Sequence, residues 1–314
     1  MTGITAAAAL AIGITPLARL RRLGQRHNLP DDVQMWLKME WANPGGSVKD
    51  RPALAIVQAA LESGDLGSGK TLIDSSSGNT GLSYAMLGAA YGFPVTIVLP
   101  GSASAERKQI LRVYGAKLIE SDALEGSDGA IRLVRQLVAE SPDRYFFADQ
   151  YGNPNNVLAH FEGTGPEIWR QTAGKVTHFV ASLGTTGTMI GTGRYLKIAN
   201  PAIQTVAVQP TDAFHGIEGL KHLPTAIVPP IYDETVVDVH LTCDTDRAYD
   251  LTRELAAVEG LFAGTSTGAA LSGALATARS LADGGQSGLI VAIAPDGGSK
   301  YLSTGLWSGY EPDM

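Results

Sequence analysis

Short apolar or β-branched runs alternate along this chain with longer segments that carry apolar residues at helical spacing. Strands are predicted at residues 34–40, 70–74, 95–99, 116–120 and 145–148, and again at 177–182, 204–208 and 289–294. The intervening segments predict helices at 50–63, 79–91, 103–114, 129–140, 187–198, 246–259 and 266–282. The run 95–99 is almost wholly apolar and is stopped by Pro100, as a strand covered on both faces should be. Residues 210–234 follow no clear period. Strands separated by helices of ten or more residues imply parallel sheets with right-handed crossovers, so the expected class is α/β.

Composition narrows the picture. A length of 314 residues allows about two domains. Hydrophobic residues make up 44%, enough for a buried core, which excludes a disordered chain. The 24 Lys and Arg against 31 Asp and Glu leave a net charge of −7, which disfavours nucleic acid and anionic membranes as partners. Cys243 has no second cysteine with which to form an internal disulfide or a Cys-rich metal site, and its isolation fits a reducing cytoplasm. The apolar run Ala6–Ile14 follows no positive charge and is cut by Pro16 before Arg19, Arg21 and Arg22. It reads neither as a secretory signal nor as a membrane span, and a cytoplasmic location is expected.

Glycine concentrates just after the predicted strands, where open α/β sheets bind ligands. After the 177–182 strand comes Gly184-Thr185-Thr186-Gly187-Thr188, followed by Met189-Ile190-Gly191. Closely spaced amides, three hydroxyls and a helix start suit a phosphate, although a tight ligand-free turn has the same composition. A dinucleotide is disfavoured because Val208 is followed by Gln209 and Pro210 rather than an acid, and a P-loop lacks its Gly-Lys-Ser/Thr.

The loop Ser75-Ser76-Ser77-Gly78-Asn79-Thr80-Gly81 suits a carboxylate or another small anion, or else Ser77 or Asn79 merely caps the next helix. In Asn43–Pro52, Lys49 precedes a helix whose positive end favours its neutral, nucleophilic form, ready for Schiff-base chemistry; a solvated surface lysine is the alternative. Gly264-Thr265-Ser266-Thr267-Gly268 opens the 266–282 helix and reads first as a cap. The six histidines show no metal-ligand spacing, so no metal is expected. His160, His178 and His240 read as structural, whereas His215 and His222 are candidates to face a site.

Taken in order, Asn43–Pro52, Ser76–Gly81, Gly184–Thr188 and Gly264–Gly268 resemble the signature segments of the cysteine synthase family. Its members are the O-acetylserine sulfhydrylases among fold-type II pyridoxal phosphate enzymes. The likeness extends to Gln150–Pro154, Thr164–Glu167 and Tyr301–Thr304. Residues 217–232, with Arg253-Glu254-Leu255, are most similar to the B-type branch.

The resemblance implies two lobes, each a mostly parallel twisted sheet flanked by helices, as in the tryptophan synthase β subunit. Residues 43–149 would form a smaller mobile lobe and residues 1–42 with 150–314 a larger one. It also implies that Lys49 holds the cofactor aldehyde and shuttles the substrate α-proton. Asn79 would bond the pyridoxal 3′-oxygen, Gly184, Thr185, Thr186, Gly187 and Thr188 the phosphate, and Ser266 the pyridine nitrogen. Ser76, Ser77, Gly78, Asn79, Thr80 and Gln150 would take the substrate carboxylate, and Lys221 the leaving phosphate of O-phosphoserine.

The implied activity is elimination from O-acetyl- or O-phospho-L-serine to aminoacrylate, then addition of a sulfur nucleophile to give L-cysteine. A cystathionine β-synthase or diaminopropionate synthase type of replacement, a dehydratase, and a non-catalytic partner of serine acetyltransferase are the alternatives. The implied partners are an amino-acid substrate, a sulfur donor and a second copy of the chain, with serine acetyltransferase or a sulfur-carrier protein as further candidates. The chain departs from the family pattern at Ile14, where Asn is usual, at Gln209, where Glu is common, and at Asp296–Lys300.

Overall fold

A computed structural model describes residues 7–67, 69–76, 78–308 and 310. The strands are β1 (Leu17–Arg19), β2 (Val33–Met39), β3 (Thr71–Ser75), β4 (Val95–Pro100), β5 (Lys117–Ser121), β6 (Tyr145–Phe147), β7 (His178–Ser182), β8 (Gln204–Pro210), β9 (Val239–Cys243) and β10 (Gly288–Ala294). Pro100 closes β4 from inside, pairing with Ser121, because the last residue of a strand can do without its amide. The three-residue β1 and the edge strand β9 escape a periodicity reading. So do the short helices Pro154–Ala159 and Gly165–Gln171.

The described residues divide into two compact units. One is drawn from Met1–Gly13, Asn43–Gly45 and Lys49–Ala159, the other from Ile14–Ala42, Gly46–Val48 and His160–Met314. The first unit therefore takes in Gln150 and the helix Pro154–Ala159, which the expected boundary after residue 149 assigned elsewhere.

The first unit is built on a parallel sheet of order β5-β4-β3-β6. Helix Asn79–Tyr91 is buried continuously from Thr80 to Gly88, so it is the central helix of this unit rather than an amphipathic cover. Leu72, Tyr84, Leu87, Ile97 and Leu99 form its main core. Ile73, Val98, Ala130 and Val134 pack the other face of the sheet, under helix Gly126–Glu140.

The second unit has the order β1-β2-β10-β7-β8-β9, with every pair parallel except β1 and β2. Its core gathers Leu37, Val180, Val206, Leu271, Leu275 and Ile290. Helix Thr265–Asp283 lies close against helix Thr245–Glu259. A Cβ on Gly268 would fall within contact distance of the Ala248 carbonyl oxygen, so the small residue sets this approach.

In the second unit Lys38 is fully buried and donates to Glu167 Oε2 at 2.6 Å, the Thr15 carbonyl at 2.7 Å and Gln171 Oε1 at 2.9 Å. A buried ammonium needs such saturation. Glu167 Oε1 accepts the Ile14 amide at 2.9 Å. That bond fixes Ile14 at φ 49 with its side chain 85% exposed, a left-handed conformation that a β-branched residue adopts only under strain. Ile14→Asn should therefore stabilise the protein by about 1 kcal/mol in urea unfolding, and an unchanged midpoint would contradict the assigned strain.

Candidate active site

The first unit's sheet reverses its order at β3: β4 and β5 extend to one side and β6 lies on the other. Chains leaving neighbouring strands at such a reversal diverge, which opens a binding position at their carboxyl ends. The 76–80 loop leaves β3 there, and Gln150 follows β6. Ser76 Oγ accepts the amides of Gly78 at 3.3 Å and Gly81 at 2.9 Å. Ser76 thus satisfies amides at the start of this helix; Ser77, one of the two expected caps, lies outside the described residues.

Thr80 Oγ1 donates to Gln150 Oε1 at 2.7 Å, and Gln150 Nε2 donates to the Ser75 carbonyl at 2.6 Å. Asn156 Nδ2 holds the Gln150 carbonyl at 2.7 Å. Ser76, Gly78, Thr80 and Gln150 are therefore brought together. Asn79 opens helix Asn79–Tyr91, half-buried, and its carbonyl accepts the Ser83 hydroxyl at 3.0 Å.

Lys49 immediately precedes helix Asp50–Ser63, half-buried at φ −73 and ψ −16. The next residue, Asp50, is fully buried and was not singled out by sequence reasoning, although an acid in the first turn of a helix was visible. Its Oδ2 accepts the Gly45 amide at 2.6 Å and its Oδ1 accepts the Ser83 hydroxyl. A Cβ on Gly45 would overlap the Asp50 carboxylate. The backbone around Lys49 is thereby held from both sides of its sequence.

In the second unit the strand order reverses at β7, between β8 and β10. The 184–188 loop springs from that end and leads into helix Gly187–Ala199. Thr186 sits at φ 72, and its hydroxyl is buried without a hydrogen-bond partner. A β-branched residue in left-handed backbone with an orphaned buried hydroxyl is costly twice over, and such costs collect where a ligand is held. Gly184 has no room for a side chain, because a Cβ there would strike the Gly219 carbonyl.

The 217–222 segment is thus packed on the loop, and the Lys221 amide donates to the Leu183 carbonyl at 2.9 Å. Lys221 is only 6% exposed. His222 is half-buried, its Nδ1 lying 2.8 Å from Thr225 Oγ1. His215 Nδ1 accepts the Ile217 amide at 3.2 Å, and burial, with His222 nearby, holds His215 below its ordinary range.

Thr188 Oγ1 lies 3.2 Å from His160 Nε2, and His160 Nδ1 lies 2.9 Å from Thr164 Oγ1. His160 opens a single π-helical turn, His160–Thr164. Sequence reasoning read His160 as structural, and nothing in the local pattern links it to a residue 28 positions on. Ser266 is buried in the first turn of helix Thr265–Asp283, its carbonyl accepting the Ser182 hydroxyl at 3.2 Å. The hydroxyls of Thr265 and Thr267 on either side are buried and unpartnered. Asp296 carries the Gly264 amide on its carbonyl at 3.0 Å and the Tyr301 hydroxyl on Oδ2 at 2.8 Å. Lys300 Nζ reaches the Gly46 carbonyl at 3.0 Å. No group of three or more His, Cys, Asp or Glu among the described residues is arranged to hold a metal ion. No helix among them is long and apolar enough to cross a membrane.

Residues 8–296 match the family described as pyridoxal-phosphate dependent enzyme. The chain belongs to that family. It is 52% identical to the cysteine synthase of Aquifex aeolicus over 297 residues, 95% of this chain and 90% of that protein. It is 43% identical to cysteine synthase B of Pseudomonas aeruginosa, over 94% of this chain and 95% of that one. Among solved structures, the cysteine synthase of Entamoeba histolytica superposes with a TM-score of 0.92 at 34% identity, covering all of this chain and 94% of that one.

This is a pyridoxal-phosphate enzyme of the cysteine synthase group, with the fold of fold-type II members. Its residues fit the cofactor. A lysine at a helix start offers an amine for an aldehyde, and the 184–188 loop offers amides and the orphaned Thr186 hydroxyl for a phosphate. Thr186→Gly should raise the stability of the cofactor-free protein by about 0.5–1 kcal/mol while weakening cofactor affinity several-fold. Thermal unfolding of the cofactor-free protein and equilibrium dialysis of pyridoxal phosphate check the two halves separately.

Proposed function

We propose that this enzyme makes L-cysteine by β-replacement on an O-activated L-serine, O-acetyl- or O-phospho-L-serine, with a sulfur nucleophile. The reading is carried by one recurring arrangement. At each reversal of strand order a hydroxyl-bearing loop opens a helix, one loop suited to a carboxylate and the other to a phosphate. The names of the most similar relatives support it.

Bound pyridoxal phosphate supplies the electron-withdrawing conjugation that acidifies the substrate Cα–H and lets the β-substituent leave. The chain's own residues do the rest. Lys49 Nζ holds the cofactor aldehyde, then takes and returns the proton at the substrate Cα. Gly184, Thr185, Thr186, Gly187 and Thr188 anchor the phosphate, and Asn79 orients the ring through its 3′-oxygen.

Ser266 presents a hydroxyl to the pyridine nitrogen. An alcohol is too weak an acid to keep that nitrogen protonated, so Ser266 would hold the ring by a hydrogen bond without giving it a proton. Ser76, Ser77, Gly78, Asn79, Thr80 and Gln150 grip the α-carboxylate, which aligns the Cα–H bond with Lys49. Lys221 provides the cation for a departing phosphate. A homodimer, a serine acetyltransferase or sulfur-carrier partner and a cytoplasmic location belong to the same reading. The isolated, buried Cys243 supports a reducing location.

Lys49→Ala should lower cysteine formation by about a thousandfold or more and abolish the visible Schiff-base absorption. Retention of both would refute the assigned role. Lys221→Ala should reduce kcat/KM for O-phosphoserine by about tenfold while changing that for O-acetylserine less than about twofold. Equal losses with the two esters would remove Lys221 from ester selection.

A further inference from the structure

The carboxyl end of β3 holds a buried acid for which the proposed reaction gives no task. Asp74 is fully buried. Its Oδ1 accepts the Ser75 amide at 2.7 Å and its Oδ2 accepts the Gln150 amide at 3.0 Å. A single carboxyl group thus ties the end of β3 to the chain leaving β6. Beyond this tie the Gln150 side chain joins the Ser75 carbonyl to the Thr80 hydroxyl.

We propose that Asp74 is a positioning residue for the substrate carboxylate, holding the Ser75 and Gln150 backbones where Gln150 can orient Thr80 and the loop that begins at Ser76. The inference rests on the carboxylate role given above to that loop and to Gln150.

The surroundings make the tie sensitive to protonation. Tyr84, on helix Asn79–Tyr91, stands beside Asp74 with its hydroxyl short of a well-formed hydrogen bond. Asp149 and Tyr151 face it from the segment after β6. Asp128, on helix Gly126–Glu140, bears on Tyr151, and Arg135 on Asp149. Burial pushes the Asp74 carboxyl up to about 7; the Gln150 and Ser75 amides pull against this and the Asp149 charge adds to it.

Ionised, the carboxylate accepts both amides. Protonated, it turns a donor toward a site already filled by a donor, so the tie loosens as pH falls through about 7. Stability runs the opposite way. The folded carboxyl binds its proton more tightly than the unfolded chain's, so stability present at low pH is lost as pH rises toward about 7. Asp74 gives up stability in its ionised form and gains position.

Asp74→Asn tests this in cofactor-loaded enzyme, because a carboxamide in place of the carboxylate accepts one amide and opposes the other. Near pH 8, KM for O-acetyl-L-serine should rise about tenfold with kcat changed less than about twofold, and Tm should be equal to or above that of wild type. Calorimetric titration with L-alanine, which carries no leaving group, should show a matching loss of affinity without turnover. Near pH 6 wild type and variant should converge to within about twofold. An unchanged affinity near pH 8, a ratio that is the same at both pH values, or joint loss of kcat, cofactor and Tm would overturn the inference. Wild type that binds alanine but forms no cysteine would defeat the proposed function and leave the alanine comparison to decide on Asp74. Wild type that forms cysteine without binding alanine would leave the proposed function standing and the KM ratio at the two pH values to decide on Asp74.

Discussion

The two anion sites proposed for this protein depend on backbone amides left without strand partners where sheet order reverses. A parallel strand spends its amides on its neighbours; the first turn of the helix that follows cannot. At β3 and β7 the chain goes from one condition to the other within a few residues, and the adjacent crossovers diverge on either side. The result is a cluster of donors aimed out of the sheet. Anions are the natural occupants, and the two anions a pyridoxal phosphate enzyme must hold are a phosphate and an amino-acid carboxylate.

Holding those donors in place consumes much of the surrounding polar structure. Ser76 ties its own loop, and Asp50 ties the approach to Lys49. The Thr188–His160–Thr164 chain steadies the start of helix Gly187–Ala199. Ser76, Asp50, His160 and Thr164 are buried, so their hydrogen bonds act in a low dielectric and a missing one is costly. Thr186 stands out because it is strained as well as unpartnered.

Much of this was legible in the sequence for identifiable reasons. Helices Asp50–Ser63 and Asn79–Tyr91 fall at the expected residues, because Gly64 and Gly92 end them at φ 83 and 79, a conformation other residues resist. The loops at 76–80 and 184–188 were legible from their glycine and hydroxyl content alone. Asp74 was not, since an acid at the end of an apolar strand looks like an ordinary exit to solvent and its partner Gln150 is 76 residues away. His160 was hidden by the same kind of separation. The burial of Lys221 could not be foreseen because residues 210–234 lack a period, and the bond that ties its amide to Leu183 joins residues far apart in sequence.

The pairing of β2 with β10 matters for how the molecule is made. Val33 lies opposite Gly288, and Met39 opposite Ala294. In chain order β2 precedes its inner neighbour β10 by about 250 residues, whereas the four-stranded sheet is complete once β6 is made. Until β10 is made, that edge of β2 has no strand partner, and an unpaired strand edge can pair with other chains. Closing so long-range a contact is entropically slow, so the two sheets of this chain differ in how soon each can form.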